Sequence, residues 1–175
     1  MNIPETVQKV LLSCGFIAVL LYLVMDLLAG KLIKGYSFSI QSMSELGAAG
    51  SPTRPLVIAF TLAASVFLAA FGVGVWRTAG LAVIPRIVAA LIIGNAFLGL
   101  VSTLFFPNSY GVQPKFGTPG VILMMFSVLC FVLAMILGAV AFHGWMRILS
   151  IAIPAAYVIL AILVLYWLLL PQVRM

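Results

Sequence analysis

Apolar positions along this chain do not alternate, and they do not recur every third or fourth residue between charges. They run on unbroken for about 20 residues at a time, between short polar connections. Five such runs are read from the sequence. They lie at about Gln8–Ala29, Leu56–Trp76, Ile84–Phe106, Gly120–Phe142 and Ile148–Leu170. Each holds enough residues to cross the roughly 30 Å hydrocarbon layer as a helix rising about 1.5 Å per residue. A transmembrane strand barrel needs alternating segments of about ten residues, which these are not. The expectation is an all-α, polytopic transmembrane bundle of about five spans, forming a single transmembrane domain over residues 1–175.

The connections differ in length. Those after the second and fourth runs are tight turns, and those after the first and third, 30–55 and 107–119, are longer and polar. Antiparallel spans then place both long loops on one face of the membrane. The N-terminus and the tight turns lie on the other. The first run contains Asp26 and is longer than the core of a usual signal peptide, so it reads as a retained span. No internal repeat is evident. Ala90 and Gly94, and Ala134 and Gly138, stand four apart, a spacing that lets helix backbones approach closely. Such pairs serve packing within a bundle or a dimer contact.

Composition settles the solvent. Apolar residues make up 65% of the 175 residues and charged residues 7%, and the mean hydropathy is +1.32. A soluble domain carries about 25% charge, so hydrocarbon must surround most of this chain. The net charge of +6 comes from nine basic and three acidic residues. The basic residues stand singly at the ends of runs, which suits lipid headgroups and topology signals and gives no reason to expect nucleic acid. Membrane lipids are the expected partners, and a second copy or another membrane protein remains open. The basic residues divide almost evenly between the two faces. The charge density of the tight turns, with Trp76 and Trp145 there, favours an N-terminus inside the cell, in the inner or plasma membrane of a prokaryote. Cys14 and Cys130 fall inside apolar runs and read as packing groups. His143 is the only histidine, with no second ligand near it in sequence, so neither a metal nor another cofactor is expected.

Few polar residues fall inside the spans. Asp26 lies about one turn from the end of the first, where a carboxyl must face the interior, find a partner or take up a proton. It either lies near the interface, where it reaches water or pairs with Lys31 or Lys34, or serves a ligand site or proton transfer. Asn95, near the middle of the third span, suits an interhelical hydrogen bond or a cavity. Thr61, Ser65, Ser102, Thr103 and Ser127 fall in the half of their spans nearer the long loops. In the first long loop, Ser42 and Glu45 have capping-box spacing. A short helix would put Ile40, Met43 and Leu46 on one face, with Gly50 ending it. Ser51 or Thr53 would cap the second span, and Thr118 with Pro119 would open the fourth. With Arg54, Lys31, Lys34 and Lys115 on that face, its helix N-termini suit a phosphate or carboxylate. The ligand-binding set read from these patterns is Asp26, Glu45, Arg54, Asn95 and Ser102. It would line a cavity among the first four spans that opens toward the long loops and takes a lipid or other amphiphile. An integral membrane enzyme acting on a lipid or isoprenoid, with Asp26 or Glu45 as acid or base, is the alternative. A small transporter or a structural subunit is a third.

One loop carries a resemblance. Tyr36-Ser37, Ser44-Glu45-Leu46-Gly47-Ala48 and Gly50-Ser51-Pro52-Thr53-Arg54, with Phe106-Pro107 further on, resemble the prokaryotic integral membrane proteins of domain of unknown function family 998. The likeness runs from the first span to about the middle of the fourth. Relatives often carry an acidic residue after the Phe-Pro and a histidine early in the fourth span, where this chain has Asn108, Leu123 and Met124. They also tend to continue into one further span. The resemblance implies a helical membrane bundle whose loop 30–55 is functional.

Overall fold

The computed structural model describes residues 4–37, 43–109 and 118–141, together with 144, 147–148, 151–152, 155 and 159. Four long helices account for most of them: α1 (Glu5–Leu32), α2 (Arg54–Thr78), α3 (Val83–Phe105) and α4 (Pro119–Ala141). They correspond to the first four spans read from the sequence. All four are long and apolar enough to cross a membrane. The shortest have 23 residues, about 35 Å at the helical rise. The fifth expected span, about Ile148–Leu170, falls largely outside the described residues.

The ends of α1 extend about a turn beyond the apolar run. Glu5 and Lys9 pair there at 2.8 Å, and Lys31 sits in the last turn. Polar side chains at headgroup depth do not interrupt a helix, because the helix satisfies its own backbone groups.

Each helix packs against its neighbour in sequence: α1 on α2, α2 on α3, and α3 on α4. Among the described residues no other pair of these helices makes more than marginal contact. They form an open row rather than a closed ring. The pattern of burial is that of a protein in lipid. The buried positions are mostly small or weakly polar, such as Ala18, Ala29, Ala64, Ser65, Ala89, Ala96 and Ala134. Leucines, valines and phenylalanines face outward. Lipid tails solvate large apolar groups as well as another helix does, so contacts are won by close approach of small residues.

Glycines show how close that approach is. A methyl group at Gly74 of α2 would lie 2.9 Å from Leu11 Cβ of α1, and one at Gly72 would lie 2.6 Å from Ile93 Cγ1 of α3. Of the two small-residue pairs noted in the sequence, Ala134 and Gly138 are buried on α4. Ala90 is exposed, and no described atom lies within 4 Å of a methyl group placed on Gly94. Of the two, Ala134 and Gly138 are the pair buried among these four helices.

One apolar cluster closes the long-loop end of the α1–α2 pair. Met25 and Ala29 of α1, Val57 of α2 and Leu46 from the intervening loop form it, with Tyr22, Ile33, Tyr36, Leu56 and Phe60 packed around them. Leu46 is the one large side chain in it that is fully buried.

Candidate functional site at the long-loop face

The loop after α1 turns at Gly35, whose φ of +82° favours glycine, and brings Tyr36 back against the apolar cluster. Among the described residues, the short helix expected near Glu45 is a three-residue 3-10 turn, Met43–Glu45. Ile40 and Ser42, the other parts of that expectation, lie outside the described residues. Leu46 then drops into the cluster as a plug. Gly50, at φ +92°, reverses the chain again.

The cap of α2 differs from expectation. Thr53 occupies the N-cap position, but its side chain makes no capping hydrogen bond. Its hydroxyl donates instead to the Leu46 carbonyl at 2.8 Å, with Ser51 Oγ 3.0 Å away. The Leu46 carbonyl would otherwise be a buried acceptor without a partner, which costs more than a missing cap at an end near water. Tertiary closure of the loop has taken the hydroxyl that local spacing assigned to the helix. Pro55 stands in the first turn of α2, where its missing N–H costs nothing.

The two long loops meet. Ala49 N–H donates to the Asn108 carbonyl at 2.6 Å, and Ala49 and Ser109 form an isolated parallel bridge. The start of α4 is drawn to the same place. Gly120 lies against the Phe106 carbonyl, with no room for a Cβ. Ser102 Oγ donates to the Gly120 carbonyl at a long 3.5 Å. Between these segments lies a pocket of about 130 Å³ lined by Ser44, Gly47, Val57, Ser102, Thr103, Phe106, Pro107 and Asn108. It is polar on the loop side and apolar where Val57 and Phe106 wall it.

Of the five residues assigned from sequence, Ser102 is the one among the residues that line this pocket. Glu45 follows Ser44 in the 3-10 turn. Arg54 is the first residue of α2, one turn before Val57, and its Nη1 is buried without a hydrogen-bond partner among the described residues. Asp26 is half-buried on α1. It makes no hydrogen bond or ion pair among the described residues, and the expected pairing with Lys31 or Lys34 is not formed. Asn95 Oδ1 accepts a hydrogen bond from Ser127 Oγ of α4, which ties it to the α3–α4 contact. Because the helices form a row, Asp26 and Asn95 stand on different contacts, separated by α2.

Tyr36 feels the charge of both carboxylates of this face. Burial raises its phenol above the ordinary value, and the Glu45 and Asp26 carboxylates add to the rise. Deeper in the α1–α2 contact, the buried Ser65 hydroxyl has no hydrogen-bond partner among the described residues. Thr61 Oγ1 donates to Met25 Sδ at 3.8 Å.

Ser44, Gly47, Thr103 and Asn108 were not assigned from sequence. The available signal was the two motif blocks themselves. Ser44–Ala48 and Phe106-Pro107, about 60 residues apart, supply half of the pocket wall between them. Neither the curated proteins nor the solved structures contain a significant match to this chain. The family resemblance extends well past the middle of the fourth span, to which the sequence motifs had confined it. The chain belongs to the family described as protein of unknown function DUF998, whose model matches residues 16–174.

Proposed function

We propose that this membrane protein binds the polar headgroup of a lipid or other amphiphile in the pocket between its two long loops. The observation that supports this is the pocket's make-up at the end of the spans. The Ser102 and Thr103 hydroxyls donate to the Gly120 and Gly99 carbonyls and keep lone pairs that can accept from a headgroup, and Ser44 and Asn108 add polar groups to the wall. Val57 of α2 and Phe106 after α3 offer an apolar wall that leads toward the α2–α3 contact. A headgroup with an attached acyl chain has that same division. Ser102 is the direct ligand among the residues read from sequence. Glu45 is next in sequence to the lining residue Ser44, and Arg54, whose buried Nη1 has no hydrogen-bond partner among the described residues, lies one turn before the lining residue Val57. In this reading the N-terminus and tight turns are cytoplasmic and the pocket opens on the outer face of the cell membrane.

Native mass spectrometry in mild detergent tests the reading. The wild-type chain should retain lipid, Ser102→Val and Ser44→Phe should lose it, and Arg54→Ala should weaken it. Absence of retained lipid, or binding unchanged in Ser44→Phe and Arg54→Ala, overturns it.

The enzymatic reading, with Asp26 or Glu45 as acid or base, draws on the influence both carboxylates exert on Tyr36. A general acid or base must reach the reacting atom within hydrogen-bond distance. Neither carboxyl lines the pocket, so the binding reading is preferred.

A further inference from the structure

The chain has three acidic residues, Glu5, Asp26 and Glu45. Asp26 and Glu45 belong to the long-loop end. Glu5, at the opposite end, is paired with Lys9. Arg77 and Arg86, which flank the tight turn between α2 and α3, and Arg147 on the same face have no other acid in the sequence to balance them. Among the described residues none of them is paired with an acidic side chain, which leaves them open to a counter-anion from outside the chain.

Arg86 is held ready for it. Its guanidinium sits over the Trp76 ring, 5.7 Å from the centroid. Its Nε is buried and has no hydrogen-bond partner among the described residues. A cation–π contact engages the face of a guanidinium and leaves its in-plane N–H groups to other acceptors. A buried N–H without an acceptor is costly. Arg86 is the fourth residue of α3, about 5 Å from its start, which is headgroup depth. Leu81 in the turn and Val83 at the start of α3 are 90% and 68% exposed, apolar side chains suited to lie among acyl chains beside that site.

We propose that Arg86, positioned by Trp76, binds a phosphate anion at the tight-turn face. The two oxygens of a phosphate match the in-plane fork of the guanidinium. Arg77, next to Trp76 in the last turn of α2, adds positive charge. An anionic phospholipid supplies such a group from within the membrane, and free phosphate supplies it from water. This site is separate from the pocket at the long loops and does not depend on it.

The test places the full chain in nanodiscs of phosphatidylcholine, with or without phosphatidylglycerol. Lipid retention is read by native mass spectrometry, and tryptophan fluorescence is followed during titration with inorganic phosphate. Preferential retention of phosphatidylglycerol identifies the lipid headgroup as the source. A saturable response to inorganic phosphate identifies the free anion. Either one supports the site if Arg86→Gln weakens it about tenfold, the scale of one lost charge-assisted hydrogen bond. Arg86→Lys, which keeps the charge but loses the fork, should recover only part of it. The proposal is overturned if the two lipids are retained equally with no phosphate response. It is also overturned if binding is unchanged in folded Arg86→Gln or Arg86→Lys protein. Loss of lipid in Ser44→Phe, by contrast, should leave this site untouched.

Discussion

Thr53 and Leu46 close the loop between α1 and α2: the Thr53 hydroxyl donates to the Leu46 carbonyl at 2.8 Å. The Leu46 side chain fills the apolar cluster beneath. This pair fixes the approach of Ser44 and Gly47 to Ser102 and Thr103. The contact of Ala49 with Asn108 completes the clasp from the other side.

Thr53→Val keeps the side-chain volume and removes the donor. The Leu46 carbonyl is then left buried without its partner, a loss of about 1–3 kcal/mol. Leu46→Ala, which empties a fully buried site, should cost about 2–5 kcal/mol. Thermal unfolding in mild detergent should show both midpoints lowered, with Leu46→Ala the lower. A midpoint unchanged in Leu46→Ala would mean the loop does not hold the helix ends together.

Gly72→Ala and Gly94→Ala should separate sharply. At Gly72 the new methyl would lie 2.6 Å from Ile93 Cγ1 and 3.2 Å from the Ala89 carbonyl oxygen. Backbone cannot yield as a side chain can, so α2 and α3 must part, at about 1–3 kcal/mol. At Gly94 no described atom lies within 4 Å. There the change should be neutral or stabilising, by up to about 1 kcal/mol of helix propensity. The same unfolding assay compares them, and equal destabilisation would refute the packing assigned to α2 and α3.

Asn95 and Ser127 should be energetically coupled. Interhelical hydrogen bonds in membranes are worth about 0.6 kcal/mol on average. Asn95→Ala and Ser127→Ala should each lose about that much, and the double variant little more than either alone. Additive losses in a double-mutant cycle would show that the two side chains do not act on one another.

Tyr36 gives a pH signature. Its phenol is raised above the ordinary value of about 10, so the folded chain holds this proton more tightly than the unfolded one. The stability linked to it is present in full below about pH 10 and falls as pH rises through the folded value. The tyrosinate absorbance of wild type minus Tyr36→Phe should titrate above pH 10, and Glu45→Gln should bring that midpoint down. A midpoint at or below 10 would remove the carboxylates from its surroundings.

The family was readable because its motifs are contiguous in sequence. Ser44–Ala48 and Phe106-Pro107 could be recognised before anything was known of where they meet. The candidate site was less legible. Ser102 was found because a hydroxyl near a span end is conspicuous against apolar neighbours. Asp26 and Asn95 were grouped with it on the assumption that intramembrane polar groups share one interior. An open row of helices offers several interhelical contacts instead of one interior: Asn95 went to the α3–α4 contact, and Asp26 has no hydrogen-bond or ion-pair partner among the described residues.

What the sequence determined by itself was the solvent and, through it, the helices. With 7% charged residues, runs of about 20 apolar residues must satisfy their own backbone hydrogen bonds in hydrocarbon, and an unbroken helix is the local solution. The tertiary structure alone decided which helices touch and what the loops enclose. Those choices depend on where small residues let two backbones approach, as at Gly72 and Gly74, and on which distant donor reaches a buried carbonyl, as Thr53 reaches Leu46. Neither follows from hydropathy, because lipid and a neighbouring helix look alike to a leucine side chain.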